Sequence, residues 1–327
     1  MHRSGTSAVT GALGATGFEL YRSDDRVDWL ESNPEHWESH TLTVYNEDLL
    51  IRLDGGWDAP PDLLPGWTET LDLPEPSDPI RALDAAYPHL GPSVWKDPRL
   101  CLLLPFWREI LHPLTAVFVW RSPLAVAQSL LRRDGIPLPD GLALWERYNR
   151  SALTALRGVE TYVLDYESVI EDPASSIEAL LDWLVSLTQF SGVDHPWDVD
   201  AGVASILREL RHHVPTSEET ARAPMLAEQT RLVDQLSSLS GGHTPLETDV
   251  EFEESPWTTA VLRLRRKLSA PNRELERALA LNRDLSDHLE VSLRELTNLK
   301  QSTSWRVTEP IRALSVRMHR ARTPPDR

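Results

Sequence analysis

Two apolar periods run along this chain. Thr115-Ala116-Val117-Phe118-Val119-Trp120 is an unbroken apolar, β-branched run that stops at Arg121. Such a run predicts a strand buried on both faces. Thr161-Tyr162-Val163-Leu164-Asp165 predicts another strand, and Ser93-Val94-Trp95 a short one. Around them the spacing becomes helical, over Leu100 to Leu111, Pro123 to Arg133, Leu142 to Leu156 and Ala174 to Leu187. At the start, the small polar stretch His2-Arg3-Ser4-Gly5-Thr6-Ser7 leads into Ala8, Val9, Leu13 and Phe18 at roughly helical spacing, so a loop entering a helix is expected. Strands alternating with helices predict an α/β fold with a central parallel sheet. Residues 54–79 are rich in Pro, Gly, Asp and Trp and predict a long surface excursion.

From about residue 256 the texture changes. Leu275, Asn282, Leu289, Leu296 and Thr303 fall seven apart, and Ala278, Leu285, Ser292 and Leu299 interleave three residues after them. That is an a/d heptad register with one Asn at an a position, and it predicts a coiled-coil segment over 275–303. A single amphipathic helix packed on the body is the other reading of the same pattern. The expected organisation is an α/β domain over 1–250 and a basic helical extension over 256–327.

Charge separates the same two parts. The 327 residues carry a net charge of −17. Residues 256–327 hold 15 Lys and Arg against 8 Asp and Glu, a net of +7, which leaves −24 for residues 1–255. An acidic body argues against nucleic acid as the partner, because phosphate backbones need clustered cations. Any anion site in that body must be built locally. No apolar run approaches the roughly 20 residues that span a bilayer, so no membrane span is expected. Residues 1–20 lack the cationic start and greasy middle of a secretory leader. The lone cysteine, Cys101, rules out an internal disulfide and fits a reducing cytoplasm.

Three short constellations carry candidate chemistry. Arg3-Ser4-Gly5-Thr6-Ser7 opens a helix, where backbone N–H groups and the helix dipole favour an anion. It is not a nucleotide-kinase phosphate loop, since Gly-x4-Gly-Lys-[Ser/Thr] is absent. Alone it reads more readily as an ordinary helix cap. Arg121 follows directly on a predicted strand, and in open α/β sheets ligands bind beyond the carboxyl ends of strands. Ser129 lies two helical turns further on. Lys96-Asp97-Pro98-Arg99 ends another predicted strand and can point its lysine into the same crevice, or else is a surface lysine beside a helix cap.

Together these residues resemble the family of sulfotransferases that use 3′-phosphoadenosine 5′-phosphosulfate (PAPS), in particular the bacterial-type branch related to tyrosylprotein and carbohydrate sulfotransferases. Arg3-Ser4-Gly5-Thr6-Ser7 is similar to that family's 5′-phosphosulfate loop. Arg121 with Ser129 resembles its 3′-phosphate motif. Lys96-Asp97-Pro98 resembles its Lys-Asp-Pro segment, and Asn33-Pro34-Glu35-His36-Trp37-Glu38 a segment that ends in the acceptor-side glutamate. Tyr166-Glu167, with Glu171-Asp172-Pro173 beyond, resembles a further stretch that follows a strand. The likeness covers about residues 1–190. It implies a P-loop-like three-layer sandwich around a parallel sheet. In that family a strand precedes the phosphosulfate loop, so with Met1 two residues before Arg3 the sheet is expected to lack its first strand.

The resemblance implies transfer of a sulfuryl group from PAPS to a hydroxyl, releasing 3′-phosphoadenosine 5′-phosphate. Glu38 is then the general base, with His36 as the alternate base. Lys96 and Arg3 stabilise charge on the transferring group. Ser4, Gly5, Thr6 and Ser7 hold the 5′ phosphate, and Arg121 and Ser129 hold the 3′ phosphate. No metal is expected, and the adjacent pair His212-His213 reads as a solvated turn. Trp29, Trp37, Trp57 and Trp67 precede Lys96, and a flat aromatic can stack on a sugar, although large aromatics more often fill a core. Trp145 and Tyr148 read as packing. Ser304-Trp305-Arg306-Val307-Thr308-Glu309-Pro310-Ile311-Arg312 resembles linkers of bacterial glycosyltransferases that build surface polysaccharides. That likeness implies a saccharide acceptor and a tail that binds partner proteins or the inner membrane face. The Arg-rich residues 263–267 and 306–322 suit an anionic surface, and a solvated basic helix docked on the acidic body explains them equally well. The coil itself offers a homodimer or a protein partner. The rival readings are a non-catalytic scaffold of the same fold and an atypical nucleotide-dependent kinase.

Overall fold

The computed structural model describes residues 1–22, 24–25, 37–63, 66–71, 78–87, 91–190, 197–206, 225–251 and 253–301. It divides into two compact units, Met1–Arg273 and Glu274–Arg327. The division falls inside the final helix and not before it. No helix among the described residues is long and apolar enough to cross a membrane.

The first unit is mixed α/β. Its helices, in chain order, are α1 (Thr6–Thr16), α2 (His40–Arg52), α3 (Pro79–Ala86), α4 (Leu100–Arg108), α5 (Pro123–Asp134), α6 (Leu138–Leu156), α7 (Tyr166–Glu171), α8 (Pro173–Ser186), α9 (Val199–Ser205) and α10 (Ala227–Ser238). The final helix, α11 (Pro256–Gln301), begins in this unit. Strand β1 (Thr115–Trp120) lies where the apolar run predicts it, and β2 (Glu160–Asp165) starts one residue earlier than expected. The two pair in parallel, with Trp120 opposite Asp165. On such strands alternate side chains face opposite layers. Phe118, Trp120 and Val163 join Leu103, Trp107, Leu130 and Trp145 in one hydrophobic cluster. Val119, Tyr162 and Leu164 join Val9, Leu13, Ile177 and Leu180 in another. Helices therefore cover both faces, which is why both strands read as apolar without alternation.

The sheet departs from the sequence expectation in two ways. It is mixed and not purely parallel, because β3 (Gly241–His243) runs antiparallel to β2 and places Gly242 opposite Tyr162. A Cβ on Gly242 would come within 2.2 Å of the Trp183 ring, so the strand needs glycine there and carries no apolar signal. The predicted strand at Ser93-Val94-Trp95 is only an isolated parallel bridge between Ser93 and Glu19. Val94 N–H donates to the Glu19 carbonyl and Glu19 N–H to the Pro92 carbonyl. Pro92 has no N–H with which to carry the ladder further.

The Pro- and Gly-rich stretch is also corrected at its start. Gly55, Gly56 and 59–61 are buried, and Trp57 packs on the larger cluster. The segment is tolerated inside because neighbours satisfy its backbone. Tyr148 Oη donates to the Trp57 carbonyl at 2.5 Å, Arg147 to the Pro61 carbonyl at 2.8 Å, and Arg265 to the Asp58 carbonyl at 2.5 Å.

The start of α11 is fixed by one carboxylate. Glu146 of α6 is fully buried and accepts from Ser255 N–H (2.9 Å), Ser255 Oγ (3.1 Å), Thr258 Oγ1 (2.7 Å) and Arg150 Nε (3.1 Å). A negative charge at a helix N-terminus is favourable. Two turns on, Arg265 pairs with Asp58 and Asp140, and Arg266 with Asp62.

Candidate functional site

The site is built at the carboxyl ends of β1 and β2. Because Trp120 and Asp165 are in register, the residues that follow them are neighbours. Arg121 follows β1, and Tyr166 and Glu167 follow β2. Arg121 Nε donates to Glu167 Oε1 at 3.2 Å, and its guanidinium lies 5.0 Å from the centre of the Tyr166 ring. Trp145 of α6 donates its indole N–H to the Arg121 carbonyl at 2.9 Å and so holds the turn between β1 and α5. Trp145 and Tyr148 are fully buried, as packing residues should be, yet both also fix backbone at the site.

Helix α1 brings the N-terminal loop onto the same spot. Arg3 and Gly5 both have left-handed backbone, at φ 64° and 85°. Glycine is required at position 5 on a second count, since a Cβ would lie 1.8 Å from the Tyr166 ring. The turn lets Arg3 Nε donate to Ser129 Oγ at 2.8 Å, while an Arg121 N–H reaches the Arg3 carbonyl at 3.5 Å. Arg3, Arg121 and Ser129, distant in sequence, thus meet. Thr6 and Ser7 form the first turn of α1, which has no side-chain cap and no acidic residue. Ser4 is fully buried and its hydroxyl has no partner. A buried orphan hydroxyl at an uncapped helix N-terminus, beside two arginines, is an arrangement that an anion completes.

The electrostatics point the same way. Burial pushes Arg3 down to about 10, and the nearby Arg133 and Arg121 add to the shift while Asp134 opposes it. Arg133 stands on α5 four residues after Ser129, so the two share a helix face. Its guanidinium lies 5.7 Å from the Trp57 ring centre. It is the cation that the sequence reading did not single out, although the i, i+4 spacing from Ser129 was there to be read. Burial raises the Glu167 carboxyl, and Arg121 pulls it back.

A second cluster holds Lys96 and Glu38, which form a nearly buried ion pair. Lys96 opens the turn into α4, and Glu38 stands just before α2, whose N-cap is Ser39. Arg99 locks this turn, donating to Glu47 at 2.6 Å and Asp97 at 3.1 Å, with Glu38 at 3.9 Å. Burial pulls the Arg99 guanidinium down, and the three carboxylates outweigh it and raise it. Asn46 donates to Asp97 and accepts from Trp107, which ties α2 to α4.

His2 is buried against Trp57 and Tyr148. Its ring lies 4.6 Å from that of Trp57, and its Nε2 is buried without a partner. Burial, followed by the charges of Arg99, Arg133, the N-terminus and Lys96, holds its pKa well below the usual histidine value. Arg133 belongs to the first cluster, and Arg99 and Lys96 to the second. His36, the alternate base, lies outside the described residues, as do Trp29, His212-His213 and the stretch 304–312. Trp57 and Trp67 pack on the larger hydrophobic cluster. Trp37, with backbone φ 50°, lies against Gly11 of α1. Among the described residues, no three His, Cys, Asp or Glu side chains group as a metal site. No protein-family model, curated protein or solved structure matches the chain.

Proposed function

We propose that this chain is a sulfotransferase that binds PAPS at the N-terminus of α1 and transfers its sulfuryl group to a hydroxyl. The observation that carries the reading is the convergence of Arg3, Arg121 and Arg133 with Ser129 and the unpartnered Ser4. Clustered arginines repel one another; Glu167 offsets Arg121 and Asp134 offsets Arg133, and an incoming anion adds to that compensation. A nucleotide with phosphates at both 5′ and 3′ supplies two anions to such a site. Ser4, Gly5, Thr6 and Ser7 hold the 5′ phosphate through hydroxyls and backbone N–H groups. Arg121 and Ser129 hold the 3′ phosphate, with Arg133 one turn beyond.

Transfer then needs little covalent chemistry from the protein. As in phosphoryl transfer, the transition state is loose and in line, so positioning and charge neutralisation dominate. The acceptor oxygen forms its bond to sulfur as the bond from sulfur to the bridging oxygen breaks. Glu38 takes the acceptor proton. Lys96, paired with Glu38, and Arg3 meet the charge that develops on the sulfonate and on the departing nucleotide. A saccharide of a surface polysaccharide is the proposed acceptor, on the likeness of residues 304–312 to glycosyltransferase linkers. The same likeness supports an inner-membrane face for the reaction, and the lone Cys101 supports a reducing cytoplasm.

Calorimetric titration of 3′-phosphoadenosine 5′-phosphate and of ATP into the full chain tests the reading. Binding of the bisphosphate at micromolar concentration or below, with ATP at least tenfold weaker, is expected. A folded chain that binds neither nucleotide is a scaffold and not a transferase. Preference for ATP would point to a kinase.

A further inference from the structure

We propose that α11 is a dimerisation helix, pairing in parallel and in register with α11 of a second copy of this chain. The inference is independent of the nucleotide site. It starts from a contrast along one helix. Toward its N-terminus, Thr258 and Leu262 are buried, and Arg265 and Arg266 are held by Asp58, Asp140 and Asp62. That face is taken. Further along the helix, in the second unit, Leu275, Leu279, Leu289 and Leu293 are 64%, 49%, 61% and 52% exposed. An isolated exposed leucine needs no explanation, but a row of them along one helix marks an interaction face.

The row has a definite phase. Leu275 and Leu289 occupy a positions of the heptad register of 275–303. Leu279 and Leu293, both exposed, fall at e and widen the stripe. A strict seven-residue repeat is what lets two helices stay in contact along their length.

The choice of a second copy, in parallel, follows from the polar positions. Asn282 is an asparagine at the a position between Leu275 and Leu289. In a parallel, in-register pair it faces itself, the arrangement by which a single a-position Asn specifies two strands and one register. The charges at g and e agree. In that pairing Glu295 at g stands opposite Lys300 at e of the partner helix, and none of the other g–e′ pairs from 274 to 293 matches like charges. Self-pairing needs no separate partner and gives a closed two-fold interface.

Sedimentation equilibrium of the full chain, with two variants, decides the matter. The wild type is expected at twice the chain mass at micromolar concentration. Leu275→Asp with Leu289→Asp is expected to be monomeric, with an unchanged near-ultraviolet circular dichroism spectrum as the check that the first unit is folded. Ser292→Cys, at a d position in a Cys101→Ser background, is expected to form a disulfide-linked dimer on mild oxidation, because residue 292 faces its own copy only in the parallel register. A monomeric wild type, a dimer that survives both aspartates, a trimer or tetramer, or a Ser292→Cys dimer that does not cross-link would each overturn the proposal.

Discussion

At the scale of single residues, the site is a set of charges held closer together than they would stay in water. Arg3 sits in left-handed backbone, loses proton affinity to burial and to Arg133, and spends its Nε on Ser129. Gly5 makes that placement sterically feasible. Gly5→Ala is expected to cost at least about 1–3 kcal/mol from backbone strain, with the Tyr166 clash in addition. A lower Tm together with lost bisphosphate binding would show it, and an unchanged Tm would contradict the turn. Glu167 is the internal counter-charge of Arg121. Glu167→Gln leaves Arg121 for an incoming phosphate, so affinity for 3′-phosphoadenosine 5′-phosphate is expected to rise severalfold in a direct titration; weaker binding would mean that Glu167 orients Arg121 for its ligand. His2 supplies a pH test. Its folded pKa is depressed, so below about 6.5 the unfolded chain takes up a proton that the folded chain refuses. Stability is then lost as pH falls from that point, at up to about 1.4 kcal/mol per pH unit. His2→Gln should show a shallower fall between pH 7 and 5.5 in urea melts, and parallel curves would place the imidazole in water.

At the scale of elements, legibility followed burial. Strand β1 and helices α5, α6 and α8 lie close to where the apolar periods put them, because each buries a continuous stripe or run. Strand β3 could not be read, since Gly-Gly-His has no apolar signal and its place depends on the Trp183 ring. Buried residues 55–61 read as surface, because the groups that satisfy their backbone come from Arg147, Tyr148 and Arg265, far away in sequence. The pairings of Arg3 with Ser129 and of Lys96 with Glu38 span 126 and 58 residues. Those residues were picked out by motif, and only the fold brings them into contact. Arg133 was missed because no motif pointed at it. The junction of α6 with α11 depends on Glu146, whose role no local pattern reveals. Glu146→Ala would leave Arg150 buried without its partner and uncap α11, at a cost of roughly 3–5 kcal/mol. Chemical denaturation should register a loss of that size, and a change below about 1 kcal/mol would show that Glu146 does not fix the junction.

At the scale of the whole molecule, an acidic body carries a small cluster of arginines, and a basic segment follows it in sequence. The overall field opposes anions, so specificity at the cluster must come from short-range contacts. Bisphosphate binding should therefore respond to the loss of one arginine more than to moderate salt. The account's central claim is that Arg121 reads a 3′ phosphate. The direct measurement is the affinity ratio between 3′-phosphoadenosine 5′-phosphate and adenosine 5′-phosphate, which differ only in that group, in the wild type and in Arg121→Ala. The account predicts a ratio of about 100 or more in the wild type, as a charge-assisted pair of contacts supplies, and a collapse toward unity in the variant. A ratio near unity in the wild type, or one unchanged by Arg121→Ala, would contradict it.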